Sequence, residues 1–184
     1  MKSEKTEICL NNRNFTKVII DTATIIQQKS FVKLMKDTLI PELRRCEMKL
    51  HVPNTVIREL NEFITEKSEK AYAAKKALEC LEVLTKSGYV EFEGNPNERT
   101  DTYLMCEVIR ARMMKENLLV ITQNYGLASD IVILNQIRSN MLPSAYVKRV
   151  NINGELENFD FTRPVKAEKK QCLNVQDALK RMGI

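Results

Sequence analysis

Five short strand-like runs, separated by stretches with helical periodicity, constrain the fold of this chain more than any other feature. Residues 17–21 read Lys-Val-Ile-Ile-Asp, the pattern of a buried central strand that ends in an acid. After them Phe31, Leu34, Met35 and Leu39 recur at helical spacing until Pro41 interrupts the pattern. A second strand is predicted over 49–53, and Asn54 is placed to cap a helix whose Val56, Ile57, Leu60, Phe63 and Ile64 share one face. Residues 71–84 are rich in strong helix formers, Gly88 stops them, and residues 89–92 form the third strand. Residues 94–97 make a loop, after which Thr100 caps a helix through Lys115 with Leu104, Met105, Val108 and Ile109 inward. A fourth strand over 118–122, a helix over 125–140 and a fifth strand over 146–152 complete the alternation, and Asn153-Gly154 signals a tight turn. Parallel strands need right-handed crossovers of this length, so the pattern predicts a doubly wound α/β domain, a parallel sheet with helices on both faces, over residues 17–161. Residues 1–16 read as a polar leading segment. Residues 162–184 read as a basic tail with a short amphipathic stretch over 175–182.

Composition removes several functional classes. No apolar run approaches the ~20 residues that a bilayer requires, and residues 1–14 lack the apolar core of a signal peptide, so a cytoplasmic protein without membrane contact is expected. The five cysteines are scattered singly, without the paired spacings of zinc or redox motifs, and fit reduced thiols. His51 is the only histidine, which excludes any catalytic plan that needs two. The net charge of +5 favours an anionic partner.

In open α/β sheets ligands bind beyond the carboxyl ends of the strands, which directs attention to the polar residues there. Asp21 ends the first strand, and Glu59 lies in the second turn of the helix after the second. Asp101 lies in the first turn of the helix after the third strand, and Asn124 stands two residues past Thr122, where the fourth ends. Each has a plainer reading alone: Asp21 caps a turn, Glu59 is a solvated helix acid, and Asp101 complements a helix dipole. Taken together, three converging carboxylates repel one another unless a hard cation neutralises them, and oxygen donors without histidine or cysteine select magnesium or manganese. Two such ions ~4 Å apart would suit in-line displacement at a phosphodiester. Asp130, on the following helix, either adds a ligand or is a solvated acid. Lys29, Lys33, Arg58 and Arg99, neighbours of these positions in sequence, are the candidate phosphate contacts.

These residues resemble the PIN-domain superfamily. The segments are Val18-Ile-Ile-Asp21-Thr22, the helix carrying Glu59-Leu60, Thr100-Asp101 at a helix start, and Val120-Ile-Thr122-Gln-Asn124. The resemblance covers roughly residues 17–150. It implies a sheet of strand order 3-2-1-4-5 and metal ligation by Asp21, Glu59 and Asp101, with Asn124 or Asp130 completing the site and Thr22 and Thr122 at the substrate. It also implies cleavage of RNA with magnesium or manganese, in a role such as that of VapC-type toxins, which pair with an antitoxin, and a homodimer. Asn124 departs from the fully acidic version of the pattern, and this supports a rival expectation, a PIN-like fold that binds protein or RNA without cutting. A receiver-like fold is disfavoured, because no Asp ends the third strand at 89–92 and no convincing pair of acids stands near the first strand.

Overall fold

The computed structural model, which describes residues 8–10, 13–67, 69–136 and 145–161, buries Val18, Ile19 and Ile20 alike. A strand without a solvent face must be covered on both sides, and the architecture supplies that cover. In chain order the strands are β1 (Ile8–Leu10), β2 (Arg13–Phe15), β3 (Lys17–Ile20), β4 (Leu50–Pro53), β5 (Val90–Glu93), β6 (Leu118–Ile121), β7 (Tyr146–Val150) and β8 (Leu156–Glu157). The main sheet runs β5-β4-β3-β6-β7-β8, parallel from β5 to β7, with β8 antiparallel at one edge. The helices are α1 (Thr22–Ile25), α2 (Gln28–Leu34), α3 (Ile40–Cys46), α4 (Asn54–Thr65), α5 (Ala71–Lys86), α6 (Thr100–Met113) and α7 (Tyr125–Gln136).

Alternate residues of the central strands feed two cores. Val18, Ile20, Leu119 and Ile121 pack with residues of α2 to α5, whereas Ile19, Leu118 and Val120 pack with residues of α6 and α7. The expected α/β architecture, a mostly parallel sheet flanked by helices, is therefore present. Among the described residues no helix is long and apolar enough to cross a membrane.

Local structure departs from the sequence-based expectation at several places. Residues 8–15, which read as part of a polar leading segment, supply the antiparallel pair β1–β2, and their Ile8, Leu10 and Phe15 are buried in the larger core. Pro41 does not end its helix. A π-helical stretch, Met35–Leu39, joins α2 to α3, and Pro41 stands in the first turn of α3, where its missing N–H is not needed. Neither Asn54 nor Thr100 caps with its side chain. Each is the first residue of its helix, preceded at the cap by Pro53 and Arg99. Residues 137–140 of the expected helix, and the tail 162–184 with its amphipathic stretch, lie outside the described residues.

A second charged group braces the sheet against α6. Lys17 Nζ reaches Glu93 and Glu107, each at 2.7 Å, and His51 Nδ1 lies 3.1 Å from Glu93. Burial pushes Glu93 up, but hydrogen bonds from His51, Lys17 and Tyr103 outweigh it and hold the carboxyl down at about 2. His51 is thus a structural partner of this group.

Candidate active site

Four βα junctions meet at the carboxyl ends of β3 to β6, and each brings a polar side chain. Asp21 follows β3 and caps α1 by accepting from the Thr24 N–H at 2.9 Å. Its other oxygen accepts from the Thr122 hydroxyl, just past β6. Glu59, one turn into α4, has both oxygens engaged: Thr22 donates to Oε2 at 2.6 Å and Thr100 to Oε1 at 2.5 Å. Thr55 Oγ1 lies 2.6 Å from Thr100 Oγ1. Because Thr100 gives its proton to Glu59, Thr55 supplies the proton of that contact.

Asn124 links Asp101 to this arrangement. Its Nδ2 lies 3.3 Å from both Asp101 oxygens, while its Oδ1 accepts from the Gly126 and Leu127 N–H groups at 3.0 and 3.3 Å. Those two capping bonds at the start of α7 orient the amide, so its donor end must face Asp101. The Asn124 N–H donates to Thr122 Oγ1 at 2.8 Å. A closed circuit results, through Asp21, Thr122, Asn124, Asp101, Thr100, Glu59 and Thr22, made of five hydrogen bonds and the two peptide links Asp21–Thr22 and Thr100–Asp101. Asp21, Glu59 and Asp101 all belong to it, so one set of βα junctions gathers the three predicted carboxylates.

The α4 helix also holds the loop that leads into Asp101. Asn54 Nδ2 donates to Gly94 O at 2.7 Å, and Arg58 donates to Pro96 O at 2.8 Å and to Glu98 O at 2.9 Å. Gly94 has φ +83°, and a Cβ there would stand 2.6 Å from the Tyr103 ring, so the loop packs as it does only with glycine.

Electrostatics mark Asp21 most strongly. Burial raises its carboxyl to about 6, partly offset by the bonds from Thr122 and Thr24, and Asp101 adds a smaller upward push. Asp130, on α7, is also raised, first by burial and then by Asp101. Both Asp21 and Asp130 thus feel the charge of Asp101.

Some expected contacts take other roles. Thr122 is fully buried and Thr22 nearly so, and both hydroxyls are spent on carboxylates. They position Asp21 and Glu59. Arg58 braces the 94–98 loop and pairs with Glu62 at 3.3 Å, so its guanidinium is committed to structure. Lys29, Lys33 and Arg99 are exposed, as phosphate contacts would have to be. Thr55 and Thr100 do not stand out in the sequence, where a threonine before an acid at a helix start has the appearance of a cap.

The residues present suit a hard divalent ion in donor chemistry. Asp21, Glu59 and Asp101 are linked through one hydrogen-bonded circuit, and burial holds Asp21 above its ordinary range. Among the described residues no group of three or more carboxylate, imidazole or thiolate side chains is arranged to hold a metal ion. Magnesium does not require such a group, because it binds through one or two carboxylates and keeps several waters. The chain matches no family model, and a comparison with characterised proteins finds no similar sequence.

Proposed function

We propose that this chain is a PIN-like, divalent-metal-dependent nuclease that hydrolyses phosphodiester bonds in RNA. The observation that carries the reading is the convergence of Asp21, Glu59 and Asp101 from three βα junctions upon one hydroxyl-linked circuit. Counting the strands that enter the parallel part of the sheet from β3 onward, the order is third, second, first, fourth, fifth, which supports the family resemblance. The choice of RNA over DNA rests on that resemblance.

In this reading Asp21, Glu59, Asp101 and Asp130 would hold magnesium or manganese. Such an ion supplies, when bound, charge neutralisation at the phosphodiester and at the oxygen that departs. The threonines do the positioning. Thr22 and Thr100 fix both oxygens of Glu59, Thr122 and Thr24 fix those of Asp21, and Asn124 bridges Asp101. Asp21, at about 6, exchanges a proton close to neutrality, so loading of the site should rise as pH passes that value.

The test is incubation of purified protein with single-stranded RNA and DNA, with manganese or magnesium and with excess chelator. Cleavage of RNA that chelator stops, and that Asp101→Asn reduces by orders of magnitude without unfolding the protein, is the expected result. Cleavage that persists in chelator, or an Asp101→Asn variant as fast as the parent, would overturn the reading. Slowed growth on expression, relieved by Asp21→Asn and by a co-expressed neighbouring gene product, would assign the toxin role with its antitoxin. Light scattering tests the homodimer.

Asn124 favours a second reading. Its amide satisfies Asp101 without any cation, as a binding module that no longer cuts would need. Bound but uncut RNA in the same assay would select that module.

A further inference from the structure

Away from the carboxylates, a cavity of about 140 Å³ opens between the β1–β2 hairpin and β7, and its walls include Arg13, Phe15, Leu119, Tyr146, Lys148 and Asn158. Two of these are cations, and none of the described residues lining it is acidic. The neighbouring acids are committed elsewhere: Glu157 pairs with Arg149 at 2.6 Å, and Glu155 accepts from Asn151 at 2.9 Å.

Both cations are held in place. The Arg13 guanidinium lies over the Tyr146 ring, 4.5 Å from its centroid, and Phe15 packs edge-on against the same ring at 5.4 Å. Lys148 Nζ donates to Asn158 Oδ1 at 2.5 Å, which leaves two of its protons, together with the Asn158 NH₂, as further donors. Burial lowers the Lys148 ammonium, and Arg13 lowers it further, so the two like charges oppose each other across the space. An anion between them would remove that repulsion. The volume is below the ~300 Å³ at which small-molecule pockets begin, so the space suits one anionic group and not an entire cofactor. A guanidinium fork beside an ammonium matches the oxygens of a phosphate.

We propose that this cavity is a phosphate-binding site in which Arg13, Lys148 and the amide of Asn158 hold a single phosphate group. The site is independent of the nuclease reading, because none of its walls belongs to the carboxylate circuit. It shares the sheet with that circuit: Lys148 pairs in register with Ile121, and Ile121 with Ile20, the residue before Asp21.

The experiment uses the full chain labelled with ¹⁵N, in chelator, titrated with inorganic phosphate at constant ionic strength against a chloride control. A second arm uses a short single-stranded RNA. Shifts confined to Arg13, Asn158 and residues 146–148, weakened roughly tenfold in both Arg13→Gln and Lys148→Gln, are expected, since losing one charged partner of a phosphate is worth about that factor. Arg13→Lys, which keeps the charge and loses the fork, should retain part of the binding and controls for folding. Inorganic phosphate that binds in this way identifies a phosphate compound as the source. RNA that shifts the same signals through both cations, when phosphate alone does not, supports the site with a nucleic-acid strand as the source. Phosphate shifts no larger than those of chloride, with RNA leaving these signals unmoved, overturn the proposal, as does binding indifferent to both substitutions.

Discussion

Replacing Asp21 by asparagine should change the stability of the protein in opposite directions at the two ends of the pH range. Burial raises the Asp21 carboxyl from 3.8 to about 6, so the folded chain binds a proton more tightly than the unfolded one does. The wild-type carboxyl favours folding fully below the unfolded value, and that contribution is lost as pH rises through about 6. Each tenfold difference in proton affinity between the two states is worth ~1.4 kcal/mol, so an ionised Asp21 costs the folded state about 3 kcal/mol near pH 8. Asp21→Asn removes this cost but disturbs the bond from Thr122, because an amide nitrogen cannot accept that proton. The loss of one hydrogen bond is worth about 1 kcal/mol. The variant should therefore be more stable than the parent by about 2 kcal/mol near pH 8, or roughly 4–8 °C in Tm for a chain of this size. Below about pH 4 it should be less stable by about 1 kcal/mol. Urea unfolding followed by circular dichroism, in chelator and across this pH range, measures the difference directly. A difference between the two proteins that stays constant from pH 4 to pH 8 would refute the argument that Asp21 is buried against its own charge. Magnesium should then stabilise the parent more than the variant at pH 8, because only the parent has the charge to be neutralised.

Other changes test other links. Thr100→Val strips Glu59 Oε1 of its donor and should cost about 1–3 kcal/mol in denaturant unfolding, with RNA cleavage reduced by roughly tenfold or more through lost positioning; Thr100→Ser should restore both. Gly94→Ala places a methyl against the Tyr103 ring at a positive φ and should destabilise by roughly 1–3 kcal/mol in thermal unfolding; an unchanged Tm would show that the loop is not held as described. Asn124→Asp sets a second carboxylate where the amide now lies 3.3 Å from Asp101. In chelator this variant should melt earlier than the parent, and its magnesium midpoint in a thermal-shift titration should fall; an unchanged midpoint would mean that residue 124 does not face the ion.

What the sequence reveals and conceals follows from the range of the interactions involved. The strands are legible because Val18, Ile19 and Ile20, or Leu118 to Ile121, form runs that only a doubly covered sheet can bury. Asp21 and Asp101 are legible because an acid at a strand end or a helix start has a position that topology alone defines. The partners of those acids are not, because they depend on pairs far apart in the chain. Thr100 reads locally as a cap, and only the presence of Glu59, 41 residues earlier, makes its hydroxyl a positioning donor. Arg58 reads as a loose cation near an acid, yet the backbone of the 94–98 loop claims it. The β1–β2 pair is concealed for a simpler reason: three-residue strands flanked by polar residues carry too little periodicity to separate them from a leading segment. At Pro41 the rule that proline stops a helix gives way, because the π-helical stretch before it restarts the hydrogen-bond ladder.

The closed circuit of hydroxyls and carboxylates has a consequence for how the chain acquires its centre over time. Four of its five hydrogen bonds span 23, 37, 41 and 101 residues of sequence, so none of those four can form from a local helix or turn alone. Loops of that length close late, after the strands on either side have found their neighbours. During synthesis, Asp21 and Glu59 emerge long before Thr122 and Asn124 exist to hold their surroundings, and a half-made sheet has the acids without the geometry. The centre is thus complete only once β6 has docked beside β3, and its assembly reports that the strands from β3 to β6 have found their places.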